Sequence, residues 1–271
     1  MAISEAPGLR EIFVQGPSAR LRLLASGNPQ GRPVLFLHGI TENAQSFEPI
    51  LLDLPAHLSV FALDLRGRGL SGKPANGYRM ENYLEDLLAV WNRFSGHADR
   101  PVLVGHSMGA RIAAAFAARY PALVEGVMLL DPPLSGPGRP AFPLPLTRFT
   151  EPKRAIDGGD YDAFRAFYTA PGFDYERKAL ELQSCAMEAI EQSYAAMNAE
   201  PFHVDYRMLR VPALLLAADL APFISTEDED ELRAMNPAVA IVRLPDVGHE
   251  IHKLAPDRLL NELTSFLAEL S

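Results

Sequence analysis

Short unbroken apolar runs alternate along the chain with stretches in which apolar positions recur at helical spacing. PVLFLHG is followed by SFEPILLDL, SVFALDL by MENYLEDLLAVWNRF, and PVLVGH by MGARIAAAFAARY, before the run VEGVMLLD. An apolar run without alternation reads as a strand buried on both faces, and a helix between two such strands reads as a crossover. The rhythm therefore predicts an α/β fold, a mostly parallel sheet with helices on both faces. Two earlier segments, EIFVQG and ARLRLLASG, predict an antiparallel hairpin at its edge.

After Asp131 the rhythm stops. The stretch PPLSGPGRPAFPLPL is rich in Pro and Gly, and from about Thr147 to Tyr206 the pattern is helical, rich in Tyr, Phe and Met, with no strand. This predicts an α-helical cap, residues 132–206, inserted after the sixth strand into a core made of residues 1–131 and 207–271. The sheet resumes with VPALLLAAD and AVAIVRLPDVGH, which brings the expected total to eight strands. PDRLLNELTSFLAEL closes the chain as an amphipathic helix.

With 271 residues, 48% of them hydrophobic, the chain can bury the core of one large α/β domain. Its formal net charge of −9 argues against a broad nucleic-acid or anionic-membrane surface, since either needs a basic face. An anionic ligand would have to be met by a few local Arg or Lys side chains. The start, MAISEAPGLREIF, lacks the basic and apolar regions of a signal peptide, and no apolar run approaches membrane-spanning length, so a soluble cytoplasmic protein is expected. The one cysteine, Cys185, excludes an intramolecular disulfide and reads as a buried apolar residue. No Cys and His cluster has metal-ligand spacing, so neither metal nor cofactor is expected.

GHSMG, Gly105 to Gly109, lies directly between the strand PVLV and a helical stretch. In that setting the glycines permit a tight turn that lifts the Ser107 hydroxyl above the sheet, next to the N-terminal dipole of the following helix. A hydroxyl is a weak nucleophile until a base takes its proton, and DVGHEIH, after the last strand, supplies His249 as that base. His252 is the rival, on what reads as a helix start. The backbone N–H groups of Ile40, in LFLHGIT, and of Met108 would form an oxyanion hole, with Gly39 giving room for close approach.

By HGIT, LDLRGRGLS, GHSMGAR and the terminal GH the chain resembles the α/β-hydrolase superfamily over nearly its whole length. The resemblance implies a triad in the chain order nucleophile, acid, histidine. The acid of that superfamily usually follows a strand in a pattern resembling GxxDxxxP, but in AADLAPFIS the glycine's place falls on Ala218 and the aspartate's on Ala221. Asp131, in VMLLDPP, ends the neighbouring strand, and neighbouring strands lie about 4.8 Å apart, so its carboxylate can reach the same imidazole. Asp219 remains the competing acid, while Asp246 is too near His249 in the chain to swing under it.

Within the superfamily, LLDPPLSGPGRPAFP, GHSMGAR and LDLRGRGLS resemble the N-formylmaleamate deformylases, and HGITENAQSFEP and DLRGRGLSGKPANGY resemble the (acetamidomethylene)succinate hydrolases. That resemblance implies a serine hydrolase acting through an acyl-enzyme on an amide or formamide bond in a small, ring-opened, carboxylate-bearing substrate, with Ser107, Asp131 and His249 as its triad. Arg111, Arg139, Arg148 and Arg165 are the candidate cations for an anionic substrate, with Tyr168 on the pocket wall. A buried Arg111 paired with Asp64 or Glu85 is the alternative for that residue. Arg66 and Arg68 of RGRG read either as anion-steering or as structural pairs. Two other functions fit the same residues, a carboxylesterase or lactonase and a ligand-binding homologue without turnover.

Overall fold

The computed structural model describes residues 8–92, 100–170, 172–221 and 223–270. Eight strands form one sheet: β1 (Arg10–Gln15), β2 (Arg20–Gly27), β3 (Pro33–Leu37), β4 (Ser59–Leu63), β5 (Val102–His106), β6 (Gly126–Leu130), β7 (Ala213–Ala218) and β8 (Val239–Leu244). Their spatial order is β1-β2-β4-β3-β5-β6-β7-β8. The hairpin β1–β2 sits at one edge, β2 runs antiparallel to β4, and every pair from there onward is parallel.

Unbroken apolar runs are what this arrangement requires, because β3, β4, β5, β6 and β7 are buried along their whole length. Successive side chains point to opposite faces. Leu35 and Leu37 of β3 thus join the apolar core on one face with Phe61, Leu63, Val127 and Leu129, while Val34 and Phe36 join the other with Val60, Ala62, Met128 and Leu130. Helices α2 (Met80–Trp91) and α3 (Met108–Arg119) cover the first face, and α1 (Glu48–Asp53) and α11 (Pro256–Glu269) the second. The end of the helical stretch MENYLEDLLAVWNRF, beyond Asn92, lies outside the described residues.

Five helices stand between β6 and β7: α4 (Thr147–Asp157), α5 (Tyr161–Ala166), α6 (Tyr175–Ser184), α7 (Met187–Ala199) and α8 (Phe202–Met208). Ile156, Phe164, Ala179 and Leu182 from α4, α5 and α6 form a small apolar cluster of their own, and α7 and α8 pack onto the face covered by α3. Helix α9 (Thr226–Met235) follows β7, opened by a capping box between Ser225 and Asp228 with Glu227, Asp228 and Glu229 in its first turn, where negative charge suits the macrodipole. The short α10 (Ile251–Leu254) follows the loop after β8. Among the described residues no helix is long and apolar enough to cross a membrane.

Candidate active site

Strand β5 ends at His106 and α3 begins at Met108, so a single residue, Ser107, turns the chain from one into the other. Ser107 takes φ 54°, ψ −116°, a region that costs a non-glycine residue about 1–3 kcal/mol and recurs at functional sites. The flanking glycines supply clearance. A Cβ on Gly109 would lie 2.1 Å from the Leu37 carbonyl oxygen and one on Gly105 2.3 Å from that of Gly109, so only glycines let α3 descend onto the strand ends. Ser107 is buried yet lines a cavity of about 320 Å³ at the carboxyl ends of the strands.

His249 lines the same cavity. Its Nδ1 donates to Oδ2 of Asp131 at 2.7 Å, and Asp131 is fully buried at the end of β6, with φ 44°. The other carboxylate oxygen accepts the N–H of Ala218, at the end of β7, at 3.1 Å. With Nδ1 carrying the proton given to Asp131, the Nε2 lone pair is free to act as a base. The His249 ring stacks on Phe223 at 4.0 Å between centroids. Burial pushes His249 below its ordinary pKa, against the upward pull of the Asp131 bond, and the neighbouring His106 pushes the same way as burial.

The rival groups lie elsewhere. Asp219 is 44% exposed, with a carboxylate oxygen 3.8 Å from Arg243. Asp246 is exposed in a turn with φ 58°. His252, on α10, is fully buried beside Phe47 and His106 and does not reach the cavity wall.

The segment after β3 carries Gly39 and Ile40 to the cavity edge. Among the described residues neither the Ile40 N–H nor that of Met108, the first residue of α3, donates to a protein acceptor. Two buried, unused N–H groups beside the Ser107 turn are suited to receive a developing oxyanion. Behind them stands Glu42, whose Oε2 accepts the Gly39 N–H at 2.7 Å and lies 2.8 Å from Nδ1 of His106. A Cβ on Gly39 would come within 2.8 Å of that oxygen. Burial would raise the Glu42 carboxyl, but Lys253, and after it His106 and His252, hold it well below the usual carboxylate range. Lys253 Nζ lies 3.1 Å from Glu42 Oε1, 2.9 Å from Glu181 and 2.8 Å from Glu250.

Glu42, His106 and His252 have ligand atoms within 4.8 Å of one another, the spacing a metal ion would need. The Lys253 ammonium lies 3.1 Å from the outer oxygen of Glu42, so this carboxylate already has a cation beside it. Sequence reasoning did not single out Glu42, His106 or Lys253. Their signal was present, Glu42 following HGIT directly and His106 standing inside GHSMG, but nothing in the chain links the two.

Of the expected substrate contacts, Arg148 and Tyr168 line the cavity, with Phe142, Phe149 and Phe223 as apolar wall. Arg148 donates to the Phe167 carbonyl, and its guanidinium lies 5.1 Å from the centre of the Tyr168 ring. Burial raises the Tyr168 hydroxyl above its ordinary pKa. Lys178, absent from the expected set, also lines the cavity, bonded to the carbonyl and hydroxyl oxygens of Thr41 at 3.1 Å each and to Glu181 at 3.2 Å.

The other three arginines are corrections. Arg111 does not face the cavity, and its partner is neither Asp64 nor Glu85. Buried under the inserted helices, it donates to the carbonyls of Ser135, Met197 and Glu200 at 3.0, 2.9 and 2.6 Å. It thus ties the start and the later helices of the insertion to α3, and burial brings its pKa down to about 10. Arg139 is held at 2.5 and 2.7 Å by both oxygens of Glu231 on α9. Arg165 is exposed over the ring of Tyr175. In RGRG, Arg66 pairs with Asp86 at 2.6 Å, and Arg68 donates to the Ile40 carbonyl at 3.1 Å and the Tyr83 hydroxyl at 2.6 Å, so both are structural.

Comparison with known proteins agrees with this architecture. The chain is 28% identical over 262 residues to 2-(acetamidomethylene)succinate hydrolase of Mesorhizobium japonicum, covering 92% of each. It is 31% identical over 227 residues to N-formylmaleamate deformylase of Pseudomonas putida, covering 82% of this chain and 83% of the relative. A crystal structure of N-formylmaleamic acid deformylase from Pseudomonas putida S16 superposes with a TM-score of 0.84 at 25% identity, over 94% of this chain and 100% of the other. One of (acetamidomethylene)succinate hydrolase, at 23% identity, shares the fold with a TM-score of 0.77 over 96% of this chain and 99% of the other. Residues 32–256 match the family described as alpha/beta hydrolase fold, and the chain is a member of that family.

Proposed function

We propose that the chain is a cofactor-independent serine hydrolase that cleaves an amide or formamide bond in a small carboxylate-bearing substrate through an acyl-enzyme. Ser107 Oγ attacks the carbonyl carbon while His249 Nε2 takes the hydroxyl proton. Asp131 fixes the His249 tautomer and stabilises the imidazolium without accepting the proton. The N–H groups of Ile40 and Met108 receive the oxyanion, and collapse of the tetrahedral intermediate breaks the C–N bond as His249 returns the proton to the departing nitrogen. Water, deprotonated by the same histidine, then releases the acid and restores Ser107.

The observation that carries this reading is the 2.7 Å contact between Nδ1 of His249, which lines the same cavity as the turn serine, and a fully buried Asp131. Arg148, beside Tyr168, is the substrate's carboxylate anchor. Among the described residues it is the cavity cation without an ion-pair partner, whereas Lys178 is matched by Glu181. Residues 132–206 act as the cap that closes over the acyl group. The names of the two relatives describe N-acyl compounds carrying carboxylates, and this supports an amide over an ester.

The test is steady-state turnover of N-formylmaleamate and 2-(acetamidomethylene)succinate beside short p-nitrophenyl esters. The amides are expected to give the higher kcat/KM. Esters favoured by orders of magnitude would make the protein a carboxylesterase, and absence of both turnover and a fluorophosphonate adduct at Ser107 would make it a binding protein.

A further inference from the structure

The residue before the nucleophile has an unusual position. Both ring nitrogens of the buried His106 face acceptors: Nδ1 lies 2.8 Å from Glu42 Oε2, and Nε2 lies 3.0 Å from the backbone carbonyl oxygen of His249. A neutral imidazole has one donor and one acceptor nitrogen, so either neutral tautomer would set a lone pair against an oxygen lone pair. Only the doubly protonated ring satisfies both contacts. Glu42 Oε1 lies 3.1 Å from the Lys253 ammonium while Oε2 accepts the Gly39 N–H, so the partner is the carboxylate and not the acid.

We propose that His106 is a standing imidazolium, clamped by Glu42, that positions the two halves of the reaction machinery against each other. Through Nε2 it fixes the main chain of the general base. Through Glu42 it fixes the Gly39 peptide, next to the Ile40 N–H that receives the oxyanion. It is itself bonded covalently to Ser107. One ion pair thus connects the turn after β5, the segment after β3 and the loop after β8, which have no covalent connection near the site. It is a positioning pair and touches no reacting atom. The proposal rests on the hydrolase reading above.

The surrounding charges are consistent with a cation at His106. His38 and Glu42 face it from the segment after β3, and His249 and His252 face it from the loop after β8 and from α10, with ring centroids at 4.7 and 4.5 Å. Asp131 lies beyond His249, Lys253 beyond Glu42, and Glu181 of α6 beyond Lys253. Glu42 is the carboxylate in direct contact. The His106 charge also opposes protonation of His249 in the resting protein, which keeps the base free.

The primary test uses the unaltered protein. In 15N-labelled protein, long-range 1H–15N correlation should show both His106 nitrogens protonated at neutral pH, while His249 shows the Nδ1–H tautomer. A neutral His106 pattern in protein that still labels at Ser107 overturns this inference alone, whereas failure to label with fluorophosphonate overturns the hydrolase reading and this one with it. Glu42→Gln should move His106 to a neutral pattern and slow both fluorophosphonate labelling and kcat by about 100-fold, the scale of a small misplacement, with KM changed less than about twofold. Glu42→Asp should restore the charged pattern and part of the rate. A Glu42→Gln protein that labels at the wild-type rate refutes the positioning role.

Discussion

Replacing Asp131 by Asn is the most informative single change, because the structure decides which way the new amide must point. Asp131 Oδ1 accepts the Ala218 N–H and Oδ2 accepts the His249 Nδ1–H. An amide has one oxygen and one nitrogen to place there, and the Ala218 N–H cannot change its role. The oxygen therefore goes to Ala218 and the NH2 to His249 Nδ1. Reversing the amide would set two buried donors face to face, at a cost of about 2 kcal/mol or more, which leaves that orientation at a few per cent. Facing a donor, His249 keeps its proton on Nε2, the nitrogen that must accept from Ser107. Loss of this tautomer costs about 10⁴-fold in kcat, or roughly 5.4 kcal/mol of barrier. The assay is steady-state hydrolysis of a p-nitrophenyl ester and of N-formylmaleamate, with circular dichroism as a fold control. Asp219→Asn, whose carboxylate is exposed and 3.8 Å from Arg243, should stay within about twofold of wild type. An Asp131→Asn protein within about tenfold of wild type, or a collapse in Asp219→Asn instead, would refute the assignment of the acid.

Four further outcomes can be checked directly. Because burial lowers the His249 pKa, kcat/KM should fall on the acid side with an inflection below the ordinary 6.5, and an acid limb at or above that value would contradict it. Arg148→Gln should raise KM for a carboxylate-bearing amide by about 10- to 100-fold, the range of a charge-assisted hydrogen bond, and leave a neutral ester unchanged; equal effects on both substrates would remove it from carboxylate binding. Arg111→Gln should lower the melting temperature with KM unchanged, since Arg111 holds carbonyls of the inserted segment, and a raised KM at constant melting temperature would return it to the cavity. Buried His38 has its pKa lowered to about 3 by desolvation, donating from Nδ1 to the Gly39 carbonyl and accepting the Leu65 N–H at Nε2. Below about 6.5 the unfolded chain binds a proton that the folded one refuses, so stability is full above that pH and falls by about 1.4 kcal/mol per unit toward about 3; His38→Gln should flatten the slope in urea titrations.

The parts of the fold that were legible in the sequence are those set by local periodicity. Strands buried on both faces must be apolar at every position, as β3 to β7 are, and the turn at Ser107 carries its own signature because clearance at Gly105 and Gly109 is a property of two residues at fixed spacing. His249 could be read because it follows the last strand, and Asp131 because it ends a strand beside the one carrying the superfamily's usual acid position; the register Leu130 to Leu216 brings those ends together. The arginines could not be ranked in this way. Arg111, Arg139, Arg148 and Arg165 look equivalent in the chain, and what separates them is which carbonyl or carboxylate lies within reach after folding.

The sequence by itself therefore determined the layered sheet and the turn that presents Ser107, because each follows from spacing along the chain, whereas the expected order of serine, acid and histidine came from the resemblance to the superfamily. Only the tertiary structure decided which charges face the cavity and which are consumed in holding it. Glu42, His106 and Lys253 stand far apart in the chain, and their partnership arises where the segment after β3, the end of β5 and α10 converge at one end of the sheet. Coulombic and hydrogen-bond partners are chosen by distance in space, which a linear pattern of apolar and polar residues does not encode.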